Sequence, residues 1–247
     1  MSRVLVLIAT IPSRKRSCER LLIELAKQSR LPDGVILVCD GYGDSPSPAC
    51  PLEVVVDYHS STPQGAGNRW RVVAGESEGV LKADDIVVCL DDDTMLVSAP
   101  GLVAALVETV EASPCAAAAM GRTADGKFAP PGAYSRGELI YGAGCGLTVR
   151  AGMLASLSAF AIEVSAAGGP DALGLYGDDD ALMSAYLWKQ NVRILHAATG
   201  NIFPAPGTHA TSQTAVHHAK GKPFDAQKIA IARITGWPWK TMGMQKG

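Results

Sequence analysis

Three adjacent aspartates, Asp91-Asp92-Asp93, close the apolar run Ile86-Val87-Val88-Cys89-Leu90. Neighbouring carboxylates repel one another unless a cation neutralises them. Alternate residues at a strand end point the same way, so Asp91 and Asp93 are expected to reach one ligand while Asp92 faces elsewhere. A hard divalent ion held by one or two carboxylates completes its shell with water and substrate phosphates. With Thr94 and Pro100 following, the same residues also suit an acidic helix N-terminus. A second cluster, Asp178-Asp179-Asp180, precedes Ala181–Trp188. Crowding there raises at least one pKa, which fits a general base; an N-cap with first-turn acids is the alternative, and both can hold at once. Asp40 ends the run Val35-Ile36-Leu37-Val38-Cys39 and either meets a ligand or caps the following turn.

These acids need a scaffold that brings them together. Val4–Ala9 is a continuous apolar run, as expected of a parallel strand covered on both faces. The loop Thr10-Ile11-Pro12-Ser13-Arg14 leads into a helix in which Cys18, Leu21, Leu22 and Leu25 share a face. Val35–Cys39, Val54–Val56 and Ile86–Leu90 read as further strands, Leu102–Val110 as an amphipathic helix and residues 65–78 as a helix. Strand alternating with helix implies a doubly wound α/β sheet, in which ligands bind outside the carboxyl ends of the strands. Asp40 and Asp91–Asp93 both lie at such ends and should converge.

The second half is less regular. Residues 122–138 form a polar, Gly/Pro-rich excursion, Asp179–Trp188 suggests a helix, Arg193–Leu195 a short strand and Phe224–Ile234 a short helix. Gly142-Ala143-Gly144-Cys145-Gly146 lacks the GxGxxG spacing of a dinucleotide site. There is no internal repeat, and no linker divides the 247 residues; the expectation is a single domain over 1–247.

Composition narrows the class. With 47% apolar and 19% charged residues the chain is neither disordered nor a coiled coil, and no apolar run approaches the ~20 residues of a membrane span. Six scattered cysteines without a CxxC pair favour reduced core thiols and, with an opening apolar run too short for a signal peptide, a cytoplasmic protein. Charge is uneven. Residues 1–30 carry seven Lys/Arg against two Glu, residues 31–188 seven against twenty-one acids, and residues 189–247 eight against Asp225 alone. Acids gathered around a divalent cation, with basic ends meeting phosphate, would produce this pattern, as would solvated faces that differ by chance.

From Met1 to about Arg193 the chain resembles the GT-A glycosyltransferases, in particular the large family 2 of sugar-nucleotide-dependent enzymes. The first strand and its Thr10…Pro12…Arg14 loop match the family's opening segment. Val38-Cys39-Asp40-Gly41 matches the second-strand aspartate that holds the nucleotide base or ribose. Gly65-Ala66-Gly67-Asn68-Arg69 resembles a Gly-x-x-x-Arg-Asn segment, with Gly67 in place of the arginine. Leu90-Asp91-Asp92-Asp93 matches the DxD motif, and Tyr176-Gly177-Asp178-Asp179-Asp180 stands where the family has Gly-Glu-Asp, with Asp178 in place of Glu.

The resemblance implies a Rossmann-like GT-A fold, a mostly parallel sheet flanked by helices with a less regular acceptor side. Residues 1–120 would form the nucleotide-sugar-binding half, 121–200 the acceptor and catalytic half, and 201–247 a basic C-terminal extension. It implies Mn²⁺ or Mg²⁺ on Asp93, with Asp91 ligating through water or contacting the ribose, and a late histidine, His209 or His217, as a further ligand. Thr10, Pro12, Arg14, Asp40, Asn68, Arg69, Asp91 and Asp92 would line the nucleotide-sugar site. Asp179, with Asp178 second, would be the base that activates an acceptor hydroxyl, giving inversion with a UDP-sugar as donor. The acceptor stays open among a glycan, a lipid-linked sugar, a small molecule and a hydroxylated DNA base. The last is suggested by the basic tail with Trp237 and Trp239. Two other functions compete: a nucleotidyltransferase, although Thr10–Arg16 lacks that class's glycine-rich loop, and a non-catalytic sugar-nucleotide-binding protein.

Overall fold

Four apolar runs build the parallel half of one sheet: β1 (Val4–Thr10), β2 (Gly34–Cys39), β3 (Val54–His59) and β4 (Ile86–Asp91), side by side in the order β3-β2-β1-β4. The computed structural model describes residues 2–76, 79–96, 99–123, 128–129, 137–142, 146–174, 177–197, 199 and 223–239. β1, β2 and β4 are continuous rather than alternating runs because both faces of the sheet are covered there, whereas edge strand β3 is partly exposed. Leu5, Leu7, Ile36, Val38, Val87 and Cys89 enter one core. Val4, Val6, Ile8, Leu37, Val88 and Leu90 enter the other, beneath α1 (Lys15–Leu25) and α3 (Leu102–Ala112), whereas α2 (Asn68–Arg71) buries Trp70 in the first. Pairing of Thr10 with Cys39 and of Ala9 with Asp91 brings the carboxyl ends of β1, β2 and β4 to one edge.

The rest of the chain extends this sheet. In chain order come β5 (Ala116–Ala118), β6 (Gly121–Thr123), β7 (Phe128–Ala129), β8 (Glu138–Gly142), β9 (Leu147–Arg150) and β10 (Ile194–His196). In space they continue from β4 as β9-β5-β10-β8-β6-β7. β9 runs antiparallel to β4, and β10 runs parallel to β5 and antiparallel to β8. The fold is the α/β, Rossmann-like sheet with flanking helices that the sequence led us to expect. Three helices complete it: α4 (Leu157–Ala166), α5 (Asp179–Lys189) and α6 (Pro223–Thr235). Ile231 of α6 and Trp237 beyond it are buried in the same core as Leu182 and Tyr186 of α5.

Several local expectations change. Residues 65–78 are not one helix: α2 has four residues and passes into a π-helical turn at Val72–Glu76, in a segment weakened by Gly65, Gly67 and Gly75. The excursion at 122–138 contributes the short edge strands β6 and β7, and its residues 124–127 and 130–136 lie outside the described residues, as do 143–145 of the glycine-rich stretch. The late strand runs one residue further than expected and takes in His196. Among the described residues no helix is long and apolar enough to cross a membrane, and Cys18, Cys39, Cys50, Cys89 and Cys115 are all free.

Candidate active site

Strand β4 delivers Asp91 to the sheet edge and stops there; Asp92 and Asp93 follow in a turn. Strand alternation therefore ends at Asp91, and the three carboxylates divide differently from the expected pairing of Asp91 with Asp93. Arg14, at the end of the short 3-10 turn Pro12–Arg14, lies 2.8 Å from Asp92 Oδ1 and 3.3 Å from Asp93 Oδ2. Asp91 turns instead to the buried Arg69, whose guanidinium donates to its Oδ1 at 2.9 Å.

Arg69 joins the two acidic clusters. Besides Asp91 it reaches Asp179 Oδ2 at 3.1 Å and Asp180 Oδ1 at 3.8 Å. Burial opposes its charge, but the surrounding carboxylates outweigh that and hold the guanidinium well above its ordinary pKa. Two close backbone approaches place it there. A Cβ on Gly67, which precedes α2, would lie 2.7 Å from Leu173 Cα, and one on Gly177 would overlap the Ala172 carbonyl. Ala172 and Leu173 thus lie directly on the start of α2, and Gly177, folded back on Ala172, leads into Asp178–Asp180.

Asp178 and Asp179, adjacent in sequence, do different things. Asp178 is the N-cap of α5, accepting from the Ala181 amide at 2.9 Å. It also pairs with Lys228 Nζ at 3.3 Å, and its amide donates to Gln227 Oε1 at 2.7 Å. Asp179 has Oδ2 held by the Nε and terminal nitrogen of Arg69. Burial raises the pKa of both, against the opposing effects of Lys228 on Asp178 and Arg69 on Asp179. Burial and its neighbour Asp179 push Asp180 well up, and its buried Oδ1 makes no hydrogen bond. Burial also lifts Asp92 to about 6, although Arg14 and the Thr10 hydroxyl pull it down.

The remaining expected residues frame this centre. Asp40 accepts from Ser60 Oγ at 2.7 Å and from the amides of Gln64 and Gly65 at 2.9 and 2.8 Å. It shapes the loop after β3 rather than capping the turn that follows it. Pro12 is exposed at the start of its turn, where its fixed φ suits helical entry. Asn68 is buried with its Nδ2 unpartnered. His209 and His217 lie outside the described residues; His196 is buried and its Nε2 sits 3.0 Å from the Ala119 carbonyl.

One wall was not legible beforehand. Lys228 Nζ stands 5.0 Å from the ring centre of Tyr141 and 5.3 Å from that of Trp239, while Trp237 stacks on Trp239 at 5.3 Å and donates to the Ile140 carbonyl. In the sequence Trp237 and Trp239 show only as part of a basic, aromatic tail. What α6 docks against is set by tertiary packing and leaves no local mark in the sequence.

Six carboxylates (Asp91, Asp92, Asp93, Asp178, Asp179, Asp180) thus meet three cationic side chains, Arg14, Arg69 and Lys228, among the described residues. The carboxylates outnumber the cations, and Asp180 Oδ1, 3.8 Å from Arg69, has no hydrogen bond.

No protein-family profile matches the chain, and no curated protein matches it in sequence. Among solved structures, it is similar to S. aureus TarS with a TM-score of 0.52 at 16% identity, over 83% of this chain and 37% of that one. The chain therefore spans little more than a third of TarS. The likeness is one of fold, a GT-A-like glycosyltransferase fold.

Proposed function

We propose that the chain is a glycosyltransferase that moves a sugar from a nucleotide diphosphate, a UDP-sugar, to an acceptor hydroxyl with inversion. The observation that carries this reading is the Arg69 bridge, which unites Asp91 and Asp179 in one site at the carboxyl edge of a GT-A-like sheet. Breaking the bond between sugar and diphosphate develops negative charge on the leaving phosphate, so cationic groups must lie on that side. Arg14 is available there, anchored by Asp92 and Asp93. A bound Mn²⁺ or Mg²⁺ would supply further electrostatic stabilisation, with Asp93 as its direct carboxylate ligand and Asp91, which faces Arg69, reaching it through water. Asp40 orders the 60–65 loop that would border the nucleoside, and Asn68 offers a free buried donor.

On the opposite side an acceptor hydroxyl must lose its proton as it attacks. Asp178 is engaged as a helix cap and with Lys228, which leaves Asp179 as the base. Arg69 orients Asp179 through Oδ2, so Oδ1 is the oxygen to take the proton. Burial raises this carboxyl toward the range where it accepts a proton readily and also gives it up. The Tyr141–Trp237–Trp239 wall beside Asp178 suits the flat face of an acceptor ring, and Lys228 suits an anionic group attached to it.

The test is titration calorimetry with UDP, GDP and TDP, with and without Mn²⁺, on the wild type and on Asp93→Ala. The expected result is metal-dependent binding of UDP that Asp93→Ala abolishes. Failure of every diphosphate to bind under any metal condition would overturn the reading.

A further inference from the structure

A second group of metal-binding side chains stands at the outer corner of the sheet, apart from the aspartates. Cys39 ends β2, and its register partner on β3 is His59; Asp57 lies two residues before His59, on the same face. One donor atom from each, Cys39 Sγ, an Asp57 carboxylate oxygen and a His59 ring nitrogen, lie within 4.8 Å of one another. Sulfur to Asp57 Oδ1 is 3.8 Å, and His59 Nε2 to the same oxygen is 3.2 Å. Tetrahedral zinc, with bonds of about 2.3 Å to sulfur and about 2.1 Å to nitrogen and oxygen, asks for edges of about 3.6 Å from S to O and about 3.4 Å from N to O. The sulfur–oxygen and nitrogen–oxygen separations already stand within a few tenths of an ångström of those edges, and sulfur and nitrogen lie within 4.8 Å of each other.

The surroundings orient the ligands. His59 Nδ1 lies 3.0 Å from the Gly43 carbonyl, which can only accept, so Nδ1 carries a hydrogen. Nε2 is then the nitrogen that faces Asp57 and Ser47, and it ligates on giving up any hydrogen it shares with them, with a backbone carbonyl fixing the ring as in metal-ligating histidines. Ser47 Oγ donates to the other Asp57 oxygen, Oδ2, at 2.6 Å and lies 2.8 Å from Nε2, which turns Oδ1 toward the sulfur. Cys39 is buried while Asp57 and His59 are partly open to solvent, so an ion can enter from outside and meet the sulfur at the floor. A thiolate, an imidazole and a carboxylate select a borderline ion over Mg²⁺ or Ca²⁺.

We propose that Cys39, Asp57 and His59 form a zinc site, its fourth position facing Ser47 and solvent. Formation of the sulfur–metal bond releases the Cys39 proton to solvent. The bound ion fastens edge strand β3 and the Gly43–Ser47 loop to β2, next to Asp40, which orders the 60–65 loop. This site is independent of the aspartate centre and of the activity proposed for it.

The purified full chain, stripped of metal, is titrated with Co²⁺ and then with Zn²⁺. Stoichiometric Co²⁺ is expected to produce thiolate-to-cobalt charge-transfer absorption in the near ultraviolet, which Zn²⁺ then bleaches. Cys39→Ser and His59→Gln should abolish it, whereas Cys50→Ser and Asp93→Ala should leave it unchanged. Zn²⁺ should also raise the Tm of the wild type and not of His59→Gln, which keeps the test available if Cys39→Ser does not fold. Cobalt bound without that absorption, or absorption that survives His59→Gln, would overturn the proposal.

Discussion

At the scale of single residues the site is a matter of which carboxylate keeps which cation. Asp92 is held near 6 by burial, although it touches Arg14. A carboxyl raised in the folded state binds its proton more tightly there than in the unfolded chain. Its contribution to stability is therefore fully present below the unfolded value, near 4, and is lost as pH rises through about 6. Asp92→Asn, which keeps the shape without the charge, should remove that window: urea unfolding at pH 5 and pH 7 should differ less in the variant than in the wild type. The stake is on the order of 3 kcal/mol. Asp179 has a different burden in the proposed reaction, where it exchanges a proton with the acceptor. Asp179→Asn should lower kcat by roughly 10²–10⁴-fold while UDP affinity stays within a few-fold, measured by initial rates and calorimetry on the same preparation. Equal losses in binding and turnover would instead give Asp179 a role in holding the donor.

At the scale of elements the two clusters meet because backbones touch. Gly67 has no room for a side chain because Ala172 and Leu173 lie on the start of α2, and Gly177 has none because it folds back on Ala172. Gly67→Ala would push Ala172 and Leu173 away, at a cost of about 1–3 kcal/mol. It should lower kcat more than comparable overpacking elsewhere, because Arg69 and Asp179 would separate; a kcat that falls only in step with the folded fraction would show that the contact is structural alone. This dependence also explains how much was legible in advance. The parallel strands could be read because each is a continuous apolar run, and Asp40 and Asp91–Asp93 could be assigned to their carboxyl ends from topology alone. The partners of those acids could not. Arg69 sits in a weak, glycine-bearing helix whose charge gives no sign of facing Asp91 and Asp179, and Lys228 meets Asp178 only once α6 docks. Strand alternation also misled locally: it applies as far as Asp91, and the turn beyond it sends Asp92 and Asp93 to the same arginine. Asp57 and His59 do show the two-residue spacing of one strand face, but Cys39 joins them only through the β2–β3 register.

At the scale of the whole molecule the charge asymmetry of the sequence acquires a location. The acidic middle of the chain supplies the six site carboxylates, the basic opening supplies Arg14, and the basic end supplies Lys228. Helix α6 closes that arrangement, with Ile231 and Trp237 buried against the same core as α5. The order of strands has a temporal consequence. β1 to β4 pair among themselves and are complete within the first 91 residues, whereas β9 lies between β4 and β5, and β10 between β5 and β8. Contacts between distant segments form late, because loop-closure entropy is lost before they repay it. In pulsed hydrogen exchange during refolding, amides of β1, β2 and β4 should therefore gain protection before those of β8 and β10; simultaneous protection would show that the sheet forms as one unit. A growing chain can thus shelter its first aspartates in a formed half-sheet well before Asp179 arrives. For the proposed glycosyltransferase, catalytic competence is then the last property acquired, and a partly made chain holds a donor-side surface with no means of spending the sugar.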